Sequence, residues 1–401
     1  MKAILVLTND NLFYQEELKS LCQACDIEVK NIVIQKIEKI NPATYIGKGK
    51  AYQIKEMIED EIVIFDNELS PLQVRNLTDI IETKVTDRTD LILQIFEKRA
   101  KTKEAKLQVE IAKNQYLLPR LIGMQEHMSH QQGGSGFRGS GEKQIELDRR
   151  IIARKLAKAK KELLEIVKQR QVQRQRRKNS HVPVIALVGY TNSGKSTLMN
   201  ALCHEKNKKV FQKDMLFATL ETATRQIIIK NHVCLLTDTV GFIERLPHHL
   251  IQAFRSTLEE VKEADLMLHV VDTSFEDYQM QIETTNDVLK SLGVEQTPMI
   301  YVYNKTDLHQ YAYIQPQSPY VFISAKNKTG LDLLEDEISH LLFKEYETFE
   351  FSIPYEKGEI FKYLHQHCFV KDVQYLDTTI YIKVEAKRQE IDAYHQFLIK
   401  H

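Results

Sequence analysis

Eight consecutive residues, Gly189-Tyr190-Thr191-Asn192-Ser193-Gly194-Lys195-Ser196, carry the clearest chemistry in this sequence. Glycines at the first and sixth positions let backbone N–H groups turn inward around a phosphate chain, and a following helix adds the positive end of its dipole. At this spacing Lys195 neutralises the β- and γ-phosphates, and Ser196 offers its hydroxyl to Mg²⁺. The apolar run Val184–Val188 before the loop and the stretch Thr197–Leu202 after it read as the strand and helix that such a loop joins.

A candidate switch and three more boxes follow in order. Phe217-Ala218-Thr219-Leu220-Glu221 is a candidate first switch, in which the Thr219 hydroxyl completes a Mg²⁺ shell only when a γ-phosphate is present. Asp238-Thr239-Val240-Gly241 ends a predicted strand: Asp238 holds Mg²⁺ through water, and the Gly241 N–H reaches the γ-phosphate. In Asn304-Lys305-Thr306-Asp307 a carboxylate accepts from the N1–H and N2–H₂ edge that guanine has and adenine lacks, and the backbone of Ser324-Ala325-Lys326 donates to the guanine O6. Each box alone recurs by chance. Together, at the ends of successive strands of one doubly wound sheet, they specify a guanine-nucleotide site with GTP as substrate and GDP as product. The catalytic set is Lys195, Thr219 and Gly241, and Ser196 and Thr219 are the direct metal ligands. Phe242 stands where many GTPases carry a glutamine that orients the attacking water, which predicts slow turnover by the isolated chain. Asn192 resembles the asparagine that holds K⁺ beside the phosphates in some related GTPases.

The elements that position these boxes form part of a longer chain. Its 401 residues suffice for two or three domains. Lys plus Arg balances Asp plus Glu at 55 each, so total charge points to no partner. Five scattered cysteines make no disulfide framework, and no stretch approaches bilayer length, so a cytoplasmic chain without a membrane span is expected. Residues 1–100 alternate predicted strands (Ala3–Leu7, Ile27–Ile34, Ile62–Phe65, and one near Val85) with predicted helices (Leu12–Cys25, Lys50–Asp60, Pro71–Ile81), which makes a small parallel α/β layer. Leu18, Leu21, Cys22 and Cys25 share one helix face, so both thiols of that C-x-x-C are expected to pack rather than react. Tyr45-Ile46-Gly47-Lys48-Gly49-Lys50 is either a phosphate contact or a basic turn at a helix start.

From Asp90 onward the apolar spacing is that of long helices: Ile92, Phe96, Ala100, Leu107, Ile111, Leu118 and Leu121, then Ile145, Ile152, Leu156, Ala159, Leu163 and Ile166. These predict an antiparallel hairpin over residues 101–180. Between its arms lies Gln131 to Gly141, which holds five of the 14 glycines and is expected to be non-helical, either a plain connector or, with Phe137 and Arg138, a stacking and phosphate-contacting tip. From Arg149 to Lys178 there are 13 Lys or Arg against Glu162 and Glu165, and so one-sided a run favours a polyanion, nucleic acid above all. Arg174 to Ser180, with no apolar residue, reads as a linker into a G domain over 182–344.

Around the G boxes the sequence is similar to the HflX family of ribosome-associated GTPases. The matching stretches are Tyr45 to Lys50, Asp66-Asn67-Glu68-Leu69-Ser70-Pro71, Asp87-Arg88-Thr89, and Gly139 to Glu142 with Asp148-Arg149-Arg150. The resemblance implies a protein that binds the ribosome, acts on the rRNA of its large subunit and promotes GTP-dependent dissociation of stalled or idle particles. A monomer is expected. It also implies a small C-terminal α/β domain over 346–401, for which Phe349–Pro354 and Ile380–Val384 are candidate strands and where His365, His367 and Cys368 are read as ordinary packing residues. The alternative is a GTPase-linked RNA-binding or assembly factor that splits nothing.

Overall fold

The structure is a computed structural model that describes residues 1–131, 140–178, 182–203, 223–230, 232–245, 247, 250, 261–294, 296–309 and 313–400. Its N-terminal part is built on β1 (Lys2–Leu7), α1 (Leu12–Ala24), β2 (Glu28–Ile34), α2 (Lys48–Glu56), β3 (Ile62–Phe65), α3 (Pro71–Ile81), β4 (Val85–Asp87) and α4 (Arg88–Arg99). The four strands pair in parallel in the order β2-β1-β3-β4. Alternation along β1 divides the core between two faces: Ala3, Leu5 and Leu7 pack under α1 and α4, while Ile4 and Val6 pack under α2 and α3. Cys22 and Cys25 are buried on the first of these faces, where burial pushes their thiols up to about 12 and about 11. Ser70 and Gln73 form a reciprocal capping box at the start of α3, with Pro71 at its first position.

The long helical run from Asp90 is two helices. The chain leaves helical geometry at Ala100 and resumes in α5 (Lys103–Gln131), which α6 (Ser140–Lys178) follows. Their 29 and 39 residues give lengths of about 43 and 58 Å at the α-helical rise. One face of α5, Ala105, Val109, Ala112 and Tyr116, joins the core of the N-terminal layer. Its other face, Leu107 and Ile111, closes on Ala159, with Leu156, Leu163 and Ile166 of α6 half-buried around it. Lys103 pairs with Glu162 at 3.2 Å, as antiparallel arms require.

Three sequence expectations shift here. The helix expected over Lys50–Asp60 is Lys48–Glu56, because Gly47 serves as its N-cap. Gln131, Ser140 and Gly141 are helical, so the glycine-rich break is shorter than expected; its remainder lies outside the described residues. The segment read as a linker continues as helix through Lys178, since Arg, Lys and Gln are good helix formers that need no apolar neighbour to extend a helix already begun.

The central sheet has the order β10-β9-β8-β5-β7-β6, with β5 (Val184–Val188), β6 (Ala223–Ile229), β7 (His232–Asp238), β8 (Leu266–Asp272), β9 (Met299–Asn304) and β10 (Tyr320–Phe322). Only β6 runs antiparallel, against β7. Ile185 and Leu187 face one core and Ala186 and Val188 the other, so helices cover both faces, as in a doubly wound sheet. The remaining chain forms an antiparallel sheet, β12-β13-β11-β14, from β11 (Tyr346–Pro354), β12 (Phe369–Tyr375), β13 (Thr379–Lys387) and β14 (Leu398–Lys400). The helix Gly358–His367 packs on it, and His365 and His367 lie against the rings of Phe361 and Tyr363.

Candidate nucleotide site

The loop after β5 turns into α7 (Lys195–Leu202), whose first-turn N–H groups have no intrahelical partner and so face any anion placed there. Gly194 stands at φ +95°, and a Cβ on it would lie 2.2 Å from Asn304 Nδ2, so glycine is required on both counts. Lys195 is 6 % exposed and donates to Gly189 O at 3.0 Å and Tyr190 O at 2.6 Å. Burial lowers its pKa to about 8; Asp238 opposes the shift and Lys305 adds to it. A buried ammonium poised in this way gains most from an incoming anion. The hydroxyls of Thr191 and Ser193 are buried and have no hydrogen-bond partner among the described residues, which also suits a cradle made for a ligand.

Ser196 Oγ donates to Asp238 Oδ2 at 2.6 Å, so the P-loop hydroxyl and the carboxylate at the end of β7 come together. A hydroxyl and a carboxylate oxygen are the donors Mg²⁺ prefers, and the residues present fit that ion. Gly241 packs on the P-loop so closely that a Cβ there would lie 2.8 Å from Thr191 Cα and 3.0 Å from Lys195 Nζ. The loop is tied down on both sides: Phe242 N–H donates to Gly189 O at 3.1 Å, and Thr191 N–H donates to Phe242 O at 2.7 Å. The Phe242 side chain is buried in the core with Ala186 and Val188.

The base corner is braced by Asn304. Its Nδ2 donates to Ser193 O, and its Oδ1 accepts from Ala325 N–H, both at 2.9 Å, which joins three loops through one side chain. Ser324 Oγ donates to Asp307 Oδ1 at 2.6 Å, and Lys305 Nζ lies 2.7 Å from Asp272 Oδ2. Thr306 Oγ1 donates to Ile323 O at 3.0 Å. Because Asn304 engages the Ala325 N–H, the expected donation of this backbone to guanine O6 falls to Lys326 or requires Ala325 to change partner.

The structure brings Gly189 to Ser196, Asp238, Gly241, Asn304 to Asp307 and Ser324 to Lys326 to one end of the central sheet. Thr239 and Val240 turn away from the loop: Thr239 Oγ1 donates to Leu187 O at 2.7 Å, and Val240 packs in the core of the N-terminal layer. Phe217, Ala218, Thr219, Leu220 and Glu221 lie outside the described residues.

Comparison with known proteins decides the family. Residues 14–97 match the family model described as GTP-binding GTPase N-terminal, 99–177 that of the GTP-binding GTPase middle region, and 184–305 that of the 50S ribosome-binding GTPase. GTPase HflX of Caldanaerobacter subterraneus subsp. tengcongensis is 44 % identical over 389 residues, covering 96 % of this chain and 90 % of that protein. The chain belongs to the HflX family of GTPases. GTPase HflX of Escherichia coli K12 is 37 % identical over 86 % of this chain and 83 % of its own. A GTP-binding protein of Sulfolobus solfataricus, solved with GDP, aligns at 28 % identity with a TM-score of 0.44 over 85 % of this chain and 98 % of its own. This HflX-family chain binds GTP and hydrolyses it to GDP.

In this HflX-family GTPase nothing in the sequence indicates where the Tyr190 side chain goes. Its hydroxyl leaves the P-loop, donates to Glu17 Oε1 of α1 and accepts from Glu244 N–H at 2.8 Å. Glu17 Oε2 accepts in turn from Arg88, which also donates to Asp66 Oδ1 at 3.1 Å and to Glu244 O at 2.9 Å. Arg245 Nη1 completes the cluster on Asp66 Oδ2 at 3.2 Å. Asp66 and Arg88 lie in stretches that carry the family resemblance, which was the one signal in the sequence that they do more than pack.

Proposed function

We propose that the chain is an Mg²⁺-dependent GTPase that binds the large ribosomal subunit and promotes GTP-dependent dissociation of stalled or idle ribosomes. The observation that carries this reading is the joining of a guanine-nucleotide site to a long hairpin with a one-sided basic arm. Every Lys and Arg described between Arg149 and Lys168 is exposed, as a shaft laid along rRNA phosphates requires. The match of residues 184–305 to the 50S ribosome-binding GTPase model supports the same partner.

In this reading Lys195 and the N–H groups of Asn192 to Ser196 bind the phosphates, Asp307 selects guanine, and Gly241 donates its N–H to the γ-phosphate. Ser196 and the switch residue Thr219 would hold Mg²⁺ directly and Asp238 through water, and the ion would supply positive charge against the phosphate oxygens. Asn192, with its backbone at φ +62°, is the candidate K⁺ ligand. The buried Phe242 cannot orient water as a glutamine at that position would, so basal turnover is slow and the ribosome accelerates it. We assign residues 1–100, 101–180, 182–344 and 346–401 as the four structural units of a cytoplasmic monomer.

Sedimentation of 70S ribosomes with the protein and GTP tests this. Conversion to free subunits that needs GTP is the expected result. Unchanged 70S particles, with hydrolysis stimulated equally by free rRNA, would instead establish an RNA-binding or assembly role.

A further inference from the structure

We infer that Glu17, Asp66 and Arg88, which lie outside the nucleotide loops, are positioning residues that set the preference of the nucleotide site between GDP and GTP: they hold the loop Gly241–Arg245 against the P-loop, and Asp87 ties the same joint to the hairpin shaft. The inference rests on the reading of Gly241 as the backbone donor to the terminal phosphate.

The loop is gripped by its backbone as well as by side chains. Glu244 N–H donates to Tyr190 Oη and Glu244 O accepts from Arg88, so both polar groups of one peptide residue answer to the N-terminal layer. The Glu244 carboxylate accepts from Tyr14 at 3.2 Å and from Thr284 at 3.3 Å. Arg245 lies over the Tyr14 ring, 4.3 Å from its centroid, while its guanidinium bonds to Asp66. Glu17 and Asp66 are 6 % and 1 % exposed and Arg88 is 2 % exposed. A buried carboxylate pair and the guanidinium between them cannot lose a member without stranding a charge, so the joint resists partial opening. Burial raises the pKa of Glu17, against the pull of Arg88 and Tyr190. Arg88 itself stays charged, because the two carboxylates outweigh its burial.

Arg88 is the first residue of α4, and its neighbour Asp87 performs the matching task for the shaft. Asp87 caps α4 by accepting from Asp90 N–H at 3.1 Å. It also accepts from Tyr116 Oη at 2.8 Å and from Arg120 at 2.9 Å, both on α5. Arg120 further donates to Leu69 O at 2.9 Å, and its guanidinium lies 3.4 Å from the centroid of the Tyr116 ring. Two adjacent residues on one rigid strand-to-helix junction thus hold the nucleotide loop on one side and the hairpin on the other.

With Gly241 in contact with Thr191, a terminal phosphate received between Lys195 and Gly241 must open this contact and work against the joint. Loosening the joint therefore favours the triphosphate over the diphosphate, and by reciprocity the triphosphate loosens the hold on the shaft.

The test uses the full-length protein and needs no ribosomes, so its outcome is independent of whether the protein splits them. Equilibrium affinities for GDP and a non-hydrolysable GTP analogue are measured for the parent, Glu17→Gln and Arg245→Ala, with thermal melts to confirm folding. Arg245 is partly exposed, and the buried Asp66 keeps its pair with Arg88 when Arg245 is removed, so at least that variant should fold. The expected result is GDP affinity within about twofold of the parent and analogue affinity raised about fivefold or more. An unchanged ratio in folded variants overturns the positioning role. In parallel, amide exchange in α5 is compared with GDP and with the analogue bound. A response in the parent that Arg88→Lys abolishes supports the link to the shaft. An equal response in both, or none in the parent, removes it.

Discussion

Asp307 gives one carboxylate oxygen to Ser324 and retains lone pairs to accept from a guanine edge. Asp307→Asn replaces an acceptor by a donor there, and GTP affinity should fall by about 1–3 kcal/mol while xanthosine triphosphate affinity rises. Competition binding measures both, and equal GTP binding by variant and parent would refute the assignment. Lys195 makes a pH prediction. With its pKa lowered to about 8 in the free protein, it sheds its proton above that pH, whereas bound phosphates favour the charged form. Nucleotide binding then takes up a proton, so GDP affinity is flat below about pH 7 and falls by up to about tenfold per unit above pH 8. A flat profile to pH 9 would contradict this. The four boxes were legible because each has its own short spacing. The role of Tyr190 was not, because its partner Glu17 is 173 residues away and nothing local distinguishes that tyrosine from any other P-loop residue.

At the scale of elements, the hairpin's existence was legible from its apolar spacing and its separation from α4 was not. Ile92 and Phe96 belong to the core of the N-terminal layer and Leu107 to the seam with α6, yet the spacing of Ile92, Phe96, Ala100 and Leu107 stays helical, so periodicity alone runs through the break. The second face of α5, Ala105, Val109, Ala112 and Tyr116, was also missed, because two alanines and a tyrosine give a weaker apolar signal than Leu107 and Ile111. What the hairpin does is testable through its tip. Replacing residues 133–141 with a short inert turn should leave nucleotide affinity and most ribosome affinity intact and abolish subunit dissociation. Splitting at the parental rate would reduce the tip to a connector.

Across the whole molecule, the three sheets are not independent bodies. Tyr190, Val240, Ile243 and Leu250 belong to the same apolar core as Phe13, Leu18 and Leu21. At the far side, His232 stacks 4.0 Å from Phe343 and meets Phe369 edge-on at 4.6 Å, while Glu385 approaches its Nε2 at 3.4 Å. Residues 182–344 produced alone should therefore bind hydrophobic dyes, and in the intact chain the N-terminal layer and central sheet should melt in one calorimetric transition. Two well-separated transitions for these parts would show that the shared core is weaker than its burial indicates.

The double-faced α5 also limits how the shaft can vary in length. Inserting a single residue turns everything beyond it by about 100°. Before Arg120 such a slip would carry Tyr116 and Arg120 away from Asp87 or swing Leu107 and Ile111 off α6. Beyond Arg120 the bonds to Asp87 and the seam at Leu107 and Ile111 have already been made, so a change of length there, matched in α6, leaves both in phase. Gene variants that differ in hairpin length should therefore place their insertions and deletions beyond that arginine, matched in pairs across the two arms, with the phase of the first five turns left untouched.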